Sequence, residues 1–292
     1  RFNSSDTGNA ATNIALFIAN NTIPMCCLVH DMETTEILDF VDGPDSISLA
    51  VKFAQRELES SIGFVWLGGF KSDMTGTKAS AMVEHAKDLG AESLLFDYSG
   101  HGQSGGRFED GAISKWVAQS LAVFREFTTG PQILVGSSMG GWIALRVVQE
   151  LQKLDEVERL RGLLLIAPAP DFTAELMETS FNEAQHEQMA LAGFISEPSA
   201  YSEQPTIITK ALIDDGRDNL IFGSDLHAGV PVRILHGMRD PDVPYDHALR
   251  LVHELPHDDV TITLVKDGDH RLSRPQDIEL LHLTMASMMA HQ

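Results

Sequence analysis

One short segment of the sequence joins a nucleophilic side chain to the glycines that would expose it. Residues 133–142 read ILVGSSMGGW, and Ser138 is the central serine of a G-x-S-x-G pattern. A strand-like run precedes the pattern and a helix-like run follows it, and a serine on such a sharp turn presents its Oγ at the sheet edge. We therefore predict Ser138 as a nucleophile, with Ser137 as a small neighbour. The alternative is a plain strand-to-helix turn.

A serine hydroxyl is a poor nucleophile without a base, and His270 is the preferred base among the twelve histidines. It lies in VKDGDHRLS, after the last strand-like run, on a loop that should open at the same sheet edge as Ser138. His236 ends a strand-like run and is expected to have a structural role. Solvent-facing positions are expected for three histidines within helical patterns: His85, His253 and His282.

The base in turn needs an acid that orients its ring and stabilises its cation. The segment HGMRDPDVPYDHA (236–248) follows the penultimate strand-like run and contains three aspartates. Asp240 is nearest the strand end and is the preferred acid, Asp242 is second, and Asp246 also competes. The chain order of serine, acid and histidine is then the one found in α/β-hydrolases.

A tetrahedral oxyanion requires preorganised donors, and two backbone N–H groups are suitably placed in the sequence. The first is that of Met139, the residue after the nucleophile. The second is that of Phe70, because Gly68 and Gly69 before it would let the backbone pass close to the site. A plain turn after the strand is the alternative for this glycine pair.

These residues require a scaffold that brings several loops to one edge. Apolar strand-like runs alternate with amphipathic helical runs from residue 61 onward, after two strands joined at DGPD. Such alternation predicts an α/β fold, with a mostly parallel, doubly wound sheet covered by helices on both faces. Right-handed crossovers would place the C-terminal end of each parallel strand, and hence the candidate residues, at one edge.

The chain divides into a weakly patterned N-terminal arm, residues 1–35, and one α/β domain, residues 36–292. The strand and helix alternation is interrupted at about residues 171–229, where amphipathic helical patterns predict a helical cap over the site. The alternative is an excursion remote from the chemistry. Five apolar residues of the cap are candidates for an acyl pocket, or for packing the cap onto the body: Phe172, Leu176, Met177, Phe181 and Phe194.

The overall composition limits the partners. The formal net charge of −21 should repel phosphate backbones and anionic lipid, so no nucleic-acid partner is expected. No run approaches the roughly 18 apolar residues that a membrane span needs, and the N-terminus does not look like a targeting peptide.

The adjacent Cys26 and Cys27 exclude a disulfide framework and indicate a reducing compartment such as the cytoplasm. No metal-ligand motif or phosphate loop is present, so neither metal nor cofactor is expected.

Five segments, taken together and in order, resemble the α/β-hydrolase superfamily. They are LGGF (67–70), DYSGHGQSGG (97–106), GSSMGG (136–141), HGMRDPDVP (236–244) and GDHRLS (268–273). The amino-acid sequences of these segments are similar to those of one branch, the mitochondrial acyl-protein thioesterases and acyl-glucuronide esterases with their bacterial relatives. This resemblance makes the mitochondrial matrix the alternative location.

The resemblance implies hydrolysis of carboxylic esters or thioesters, with Ser138 as nucleophile, Asp240 as acid and His270 as base. Small-molecule or acyl-protein substrates are implied, and no cofactor. Two alternatives remain open at this point. One is a serine peptidase or amidase of the same fold, and the other is a non-catalytic binding protein built on it.

Overall fold

The computed structural model describes residues 34–43, 45–54, 62–198 and 205–290. Most of the predicted arm, including Cys26 and Cys27, therefore lies outside the described residues. The strands are β1 (Glu36–Asp42), β2 (Asp45–Ala54), β3 (Gly63–Leu67), β4 (Glu92–Phe96), β5 (Gln132–Ser137), β6 (Leu160–Ile166), β7 (Phe194–Glu197), β8 (Thr206–Thr209), β9 (Val232–Gly237) and β10 (Val260–Val265). The helices are α1 (Thr77–Asp88), α2 (Ile113–Phe127), α3 (Met139–Lys153), α4 (Glu183–Ala192), α5 (Lys210–Asp218), α6 (Tyr245–His253) and α7 (Pro275–Ala290).

Eight strands form one sheet in the order β1-β2-β4-β3-β5-β6-β9-β10. β2 pairs antiparallel with β1 and with β4, and the remaining neighbours are parallel. β5 lies inside the sheet and is buried at every residue, because helices cover both of its faces. The predicted fold class, a mostly parallel α/β sheet, is confirmed.

The core lies on both faces of this sheet, as the alternation of side chains along β5 shows. Leu134 belongs to a cluster with residues of α2, α3 and α6, whereas Ile133 and Val135 belong to a cluster with residues of α1 and α7. Successive strand residues point to opposite faces, so one strand contributes to both clusters. The sheet thereby lies between two helical layers, and the loops at its C-terminal edge extend from packed strands.

The segment between β6 and β9, called the insertion below (residues 171–229), differs in part from the prediction. It contains a π-helix at Thr173–Glu178, the helices α4 and α5, and also an antiparallel β7–β8 pair. The sequence predicted helices alone, because strands of four residues are too short to establish a period of two. The insertion has a small apolar cluster of its own: Phe181, Met189, Ile195, Ile208 and Ile213.

Within the described ranges, no helix has both the length and the apolar character needed to cross a bilayer.

Candidate active site

Ser138 lies on a sharp turn between β5 and α3. Its φ of 54° and ψ of −118° belong to a conformation that L-residues rarely adopt. Its N–H donates to the Ile166 carbonyl at 2.9 Å, and its own carbonyl accepts from the Gly141 N–H at 2.9 Å. A Cβ atom at Gly140 would come within 1.9 Å of the Leu67 carbonyl oxygen, so this position requires glycine. The strained turn is therefore held by its neighbours, and the serine hydroxyl is directed out of the strand end.

His270 approaches this hydroxyl from the loop after β10. Its Nε2 lies 3.0 Å from Ser138 Oγ, although the two residues are 132 positions apart. The β9 loop holds this loop in place, since the Arg239 N–H donates to the Gly268 carbonyl at 2.8 Å. On the other side, the Lys78 ammonium of α1 donates to the Arg271 carbonyl. Burial lowers the pKa of Lys78 to about 8, against the opposing effect of nearby Asp269.

Asp240 holds the other side of the imidazole. Its Oδ2 accepts from His270 Nδ1 at 2.7 Å, and its Oδ1 accepts from the backbone N–H groups of Asp242 and Val243 at 2.8 Å each. The side chain has no exposed surface, whereas Asp242 is exposed. Burial by itself would raise the pKa of Asp240, but the hydrogen bond and charge of His270 and the two N–H donors lower it below its ordinary value. The carboxylate is therefore ionised, and it favours the His270 tautomer whose Nε2 faces Ser138 with a lone pair.

A second imidazole lies against the same carboxylate. His236 is fully buried; its Nε2 donates to the Val243 carbonyl at 2.9 Å and lies 3.5 Å from Asp240 Oδ2. Burial lowers its pKa, which keeps the ring neutral. His236 thus braces the loop that carries Asp240, which agrees with the structural role expected from its position at a strand end.

The two candidate oxyanion donors border the serine from different elements. Met139 is the first residue of α3, and its N–H has no acceptor within the helix. The loop after β3 passes directly beside the turn, since a Cβ atom at Gly69 would lie 3.4 Å from Ser138 Cβ. Phe70 follows, and its ring packs edge-on against Phe108 at 4.9 Å. The loop that carries Phe70 therefore lies against the serine, as the sequence predicted, while the donor role itself stays a prediction.

The residues proposed for an acyl pocket occupy three kinds of environment. Phe172 is buried and packs edge-on against Phe70 at 5.6 Å and against Trp142 at 5.7 Å. Leu176 and Met177 are half-buried against the main core. Phe181 packs in the insertion's own cluster, and Phe194 is 40% exposed at the start of β7. Phe172 thus connects the insertion to the loop beside the serine, and the lining role of the whole set stays a prediction.

Two histidines expected to face solvent lie elsewhere. His85 of α1 and His282 of α7 stack face to face with their ring centroids 4.3 Å apart, and both are half-buried. That expectation was wrong because α1 and α7 cover the same face of the sheet and pack against each other. His253 is exposed, as expected.

The loop after β4 contains buried polar residues to which the sequence assigned no role. Asp97 accepts from the Met74 N–H at 2.7 Å and from the Gln103 N–H at 2.8 Å, so it ties two loops together. Burial raises the pKa of Asp97, although these two donors oppose the shift. His101 is buried in the same loop and contacts the backbone beside Phe70. The clustering of polar residues in DYSGHGQSGG directly after a strand was the signal that could have identified them.

Three side chains in the described part of the chain are close enough to share a metal ion: Asp240, Asp242 and His270. Both oxygens of Asp240 and the Nδ1 of His270 already take part in hydrogen bonds with each other or with the backbone. The geometry of this cluster is accounted for by the serine–histidine–aspartate arrangement without an ion.

Comparisons with known proteins agree with this fold and site. A family model described as the alpha/beta hydrolase family matches residues 66–279. The human protein named palmitoyl-protein thioesterase ABHD10, mitochondrial, is 33% identical over 256 residues, which cover 86% of this chain and 80% of that protein. A putative hydrolase from Agrobacterium vitis S4 is 49% identical with a TM-score of 0.84, covering 87% of this chain and 98% of that one. Mouse alpha/beta hydrolase domain-containing protein 10 is 30% identical with a TM-score of 0.77, covering 88% of this chain and 99% of that one.

The chain belongs to the alpha/beta hydrolase family. It is a hydrolase of the kind that cleaves esters and thioesters. The resemblance to the mitochondrial thioesterase branch, with bacterial relatives, is confirmed.

Proposed function

We propose that the protein hydrolyses acyl thioesters and esters through an acyl-serine intermediate formed on Ser138. The observation that carries the proposal is the continuous contact from Ser138 Oγ to His270 Nε2 at 3.0 Å and from His270 Nδ1 to Asp240 Oδ2 at 2.7 Å. His270 accepts the serine proton as Oγ attacks the acyl carbonyl, and Asp240 stabilises the imidazolium that forms.

The negative charge on the attacked carbonyl oxygen is stabilised by the backbone N–H groups of Met139 and Phe70. The position of Met139 at the start of α3 supports this role, since the positive end of the helix dipole faces the developing oxyanion. The thiol or alcohol then leaves with the proton from His270. Water, activated by the same imidazole, releases the carboxylic acid and restores Ser138.

The insertion is proposed as a cap that covers the acyl chain, so that residues 36–292 form one domain with a cap at residues 171–229. Three contacts support a position beside the site. Phe172 packs on Phe70, Lys71 Nζ donates to Thr206 Oγ1 at 3.1 Å, and the Ser114 N–H at the start of α2 donates to Asp215 of α5 at 2.9 Å.

Long-chain acyl groups attached to protein cysteines are the proposed physiological substrate class, since relatives are named palmitoyl-protein thioesterases. Those relatives are also named mitochondrial, which supports the mitochondrial matrix over the cytoplasm as the compartment in a eukaryotic cell. Fractionation of cells that express the tagged full-length protein would test the location.

A substrate panel tests the proposal on the wild type and on Ser138→Ala. We expect hydrolysis of p-nitrophenyl esters and acyl thioesters and little cleavage of aminoacyl amides, with at least about a 10³-fold loss of kcat in Ser138→Ala. The matched control is Ser137→Ala, which changes the adjacent hydroxyl and should keep most of the activity.

A fluorophosphonate probe separates the remaining alternatives. The hydrolase mechanism predicts labelling that requires both Ser138 and His270. Intact, folded protein without such labelling would favour a binding protein, and amides cleaved faster than esters would favour a peptidase or amidase.

A further inference from the structure

A buried histidine outside the serine–histidine–aspartate contact lies beside the loop that carries Phe70. His101, on the loop after β4, is 4% exposed. Its Nε2 accepts a hydrogen bond from the Lys71 backbone N–H at 3.2 Å, and its Nδ1 lies 3.1 Å from the Ser99 carbonyl. Lys71 directly follows Phe70 in the chain, so one imidazole nitrogen touches the backbone next to the proposed oxyanion donor.

Both contacts are satisfied by one tautomer of the neutral ring. The Ser99 carbonyl can only accept, so Nδ1 carries the proton; the Lys71 N–H can only donate, so Nε2 carries the lone pair. Burial lowers the pKa of His101 to about 4, despite the Ser99 carbonyl, and this keeps Nε2 available as an acceptor near neutral pH.

The backbone that His101 holds is in an uncommon conformation. Lys71 has a φ of 58°, in the left-handed region where a residue with a long side chain pays a conformational cost. Such a conformation persists when its surroundings fix it, and the Lys71 N–H bond to His101 is one such constraint. Loss of this bond would free the peptide between Phe70 and Lys71. The Phe70 N–H belongs to the preceding peptide, so the effect on it would be indirect, through a less constrained Phe70 backbone.

His101 is itself fixed from α2. The Ser99 carbonyl that orients its ring also accepts from Trp116 Nε1 at 3.3 Å. The Gln119 amide accepts from the Ser99 N–H at 2.9 Å and donates to the Ser99 hydroxyl at 2.8 Å. The rings of Trp116 and Phe108 both approach the imidazole with centroids 5.2 Å away. Residues of α2, together with Phe108, thus surround the ring, and the ring in turn contacts the loop that carries Phe70.

We infer that His101 is a positioning residue for the oxyanion hole, which holds the Phe70 N–H in place through its bond to the Lys71 backbone. The inference rests on the proposed function, since it assumes that Phe70 donates to the oxyanion. His101 does not touch the substrate, and its effect should fall on the transition state more than on ground-state binding.

Two amide substitutions separate the two contacts of the ring. His101→Gln places its amide near the position of Nε2 and keeps an acceptor for Lys71. His101→Asn places its amide near the position of Nδ1, keeps the contact with Ser99 and loses the acceptor. Since removal of an oxyanion donor costs about 10²–10³ in kcat, we expect displacement in His101→Asn to cost about 10- to 100-fold with KM within about threefold. His101→Gln should recover most of the rate.

The second readout is the affinity for an analogue of the tetrahedral intermediate. Octylboronic acid forms a tetrahedral adduct with a serine, whereas octanoic acid binds without one. In His101→Asn the inhibition constant of octylboronic acid should rise by about the same factor as kcat/KM falls, with that of octanoic acid unchanged. His282→Phe is the matched control, because it removes a histidine bond to the Ala81 carbonyl on the opposite face of the sheet and should leave this ratio unchanged.

Melting temperatures establish that each variant is folded. The inference is overturned if His101→Asn retains kcat within twofold, if both inhibitors weaken equally, or if His101→Asn fails to fold, since each outcome assigns the ring to the fold alone. These outcomes are distinct from failure of the proposed function, in which the wild-type protein itself would show no labelling of Ser138.

Discussion

The substitution Asp240→Asn tests the electrostatic core of the site with almost no change of shape. In the wild type, Oδ1 accepts from two backbone N–H groups and Oδ2 accepts from His270 Nδ1 at 2.7 Å. An asparagine retains one acceptor oxygen, and this oxygen will accept the hydrogen bonds of the two backbone N–H groups. Its NH₂ group then faces His270 Nδ1, which must become the acceptor and move the imidazole proton to Nε2.

The expected loss follows from this change of tautomer. With a proton on Nε2, the ring cannot accept the proton of Ser138 Oγ across the 3.0 Å contact. The charge that would stabilise the imidazolium is also removed. A tautomer error of this kind costs about 10⁴ in kcat in serine hydrolases, or about 5 kcal/mol of transition-state stabilisation.

The assay is steady-state hydrolysis of a p-nitrophenyl ester and an acyl thioester, with fluorophosphonate labelling of Ser138 measured in parallel. Asp242→Asn is the matched control, because its exposed side chain lies two residues away and its backbone, rather than its carboxylate, bonds to Asp240. We expect Asp242→Asn to keep kcat within about threefold, because Asp240, and not Asp242, accepts the hydrogen bond of His270 Nδ1.

The reasoning would be refuted if the two variants lost activity equally, or if Asp240→Asn stayed within tenfold of the wild type. Equal loss would mean that the loop as a whole, and not the buried carboxylate, supports catalysis. A folded Asp240→Asn with high activity would mean that His270 does not depend on Asp240 for its tautomer.

Two further predictions concern stability. Gly140→Ala should destabilise the protein by more than about 3 kcal/mol or prevent folding, because its Cβ would lie 1.9 Å from the Leu67 carbonyl oxygen. Gly76→Ala is the control, because a Cβ there makes an ordinary contact at 3.6 Å. Chemical denaturation compares the two variants, and equal unfolding free energies would contradict the prediction. Because the folded-state pKa of Asp240 is lowered, its contribution to stability is complete above its ordinary pKa and is lost as pH falls through the folded value. The difference in unfolding free energy between wild type and Asp240→Asn should therefore shrink as pH falls below about pH 4, the ordinary range of an aspartate pKa, and a difference that keeps growing below that pH would contradict this sign.

The turn at Ser138 could be predicted from the sequence because its determinants are local. A strand, a G-x-S-x-G turn and a helix follow one another within about twenty residues around Ser138, and the observed φ of 54° is a property of that turn. The sheet was predictable for a similar reason, since fully buried strands such as β5 read as continuous apolar runs between helical patterns. Insertion strands of four residues carried no such signal.

The sequence by itself determined the residue types, their order along the chain and the edge of the sheet at which they meet. It ranked Asp240 above Asp242 by distance from the strand end, but only the tertiary structure decided which carboxylate is buried against His270, a contact between residues 30 positions apart. The same holds for His101, whose tautomer and partners exist only when the loops after β3 and β4 lie side by side. The physical reason is that burial and hydrogen-bond geometry, which set protonation state and orientation, arise between segments that the chain keeps far apart until it folds.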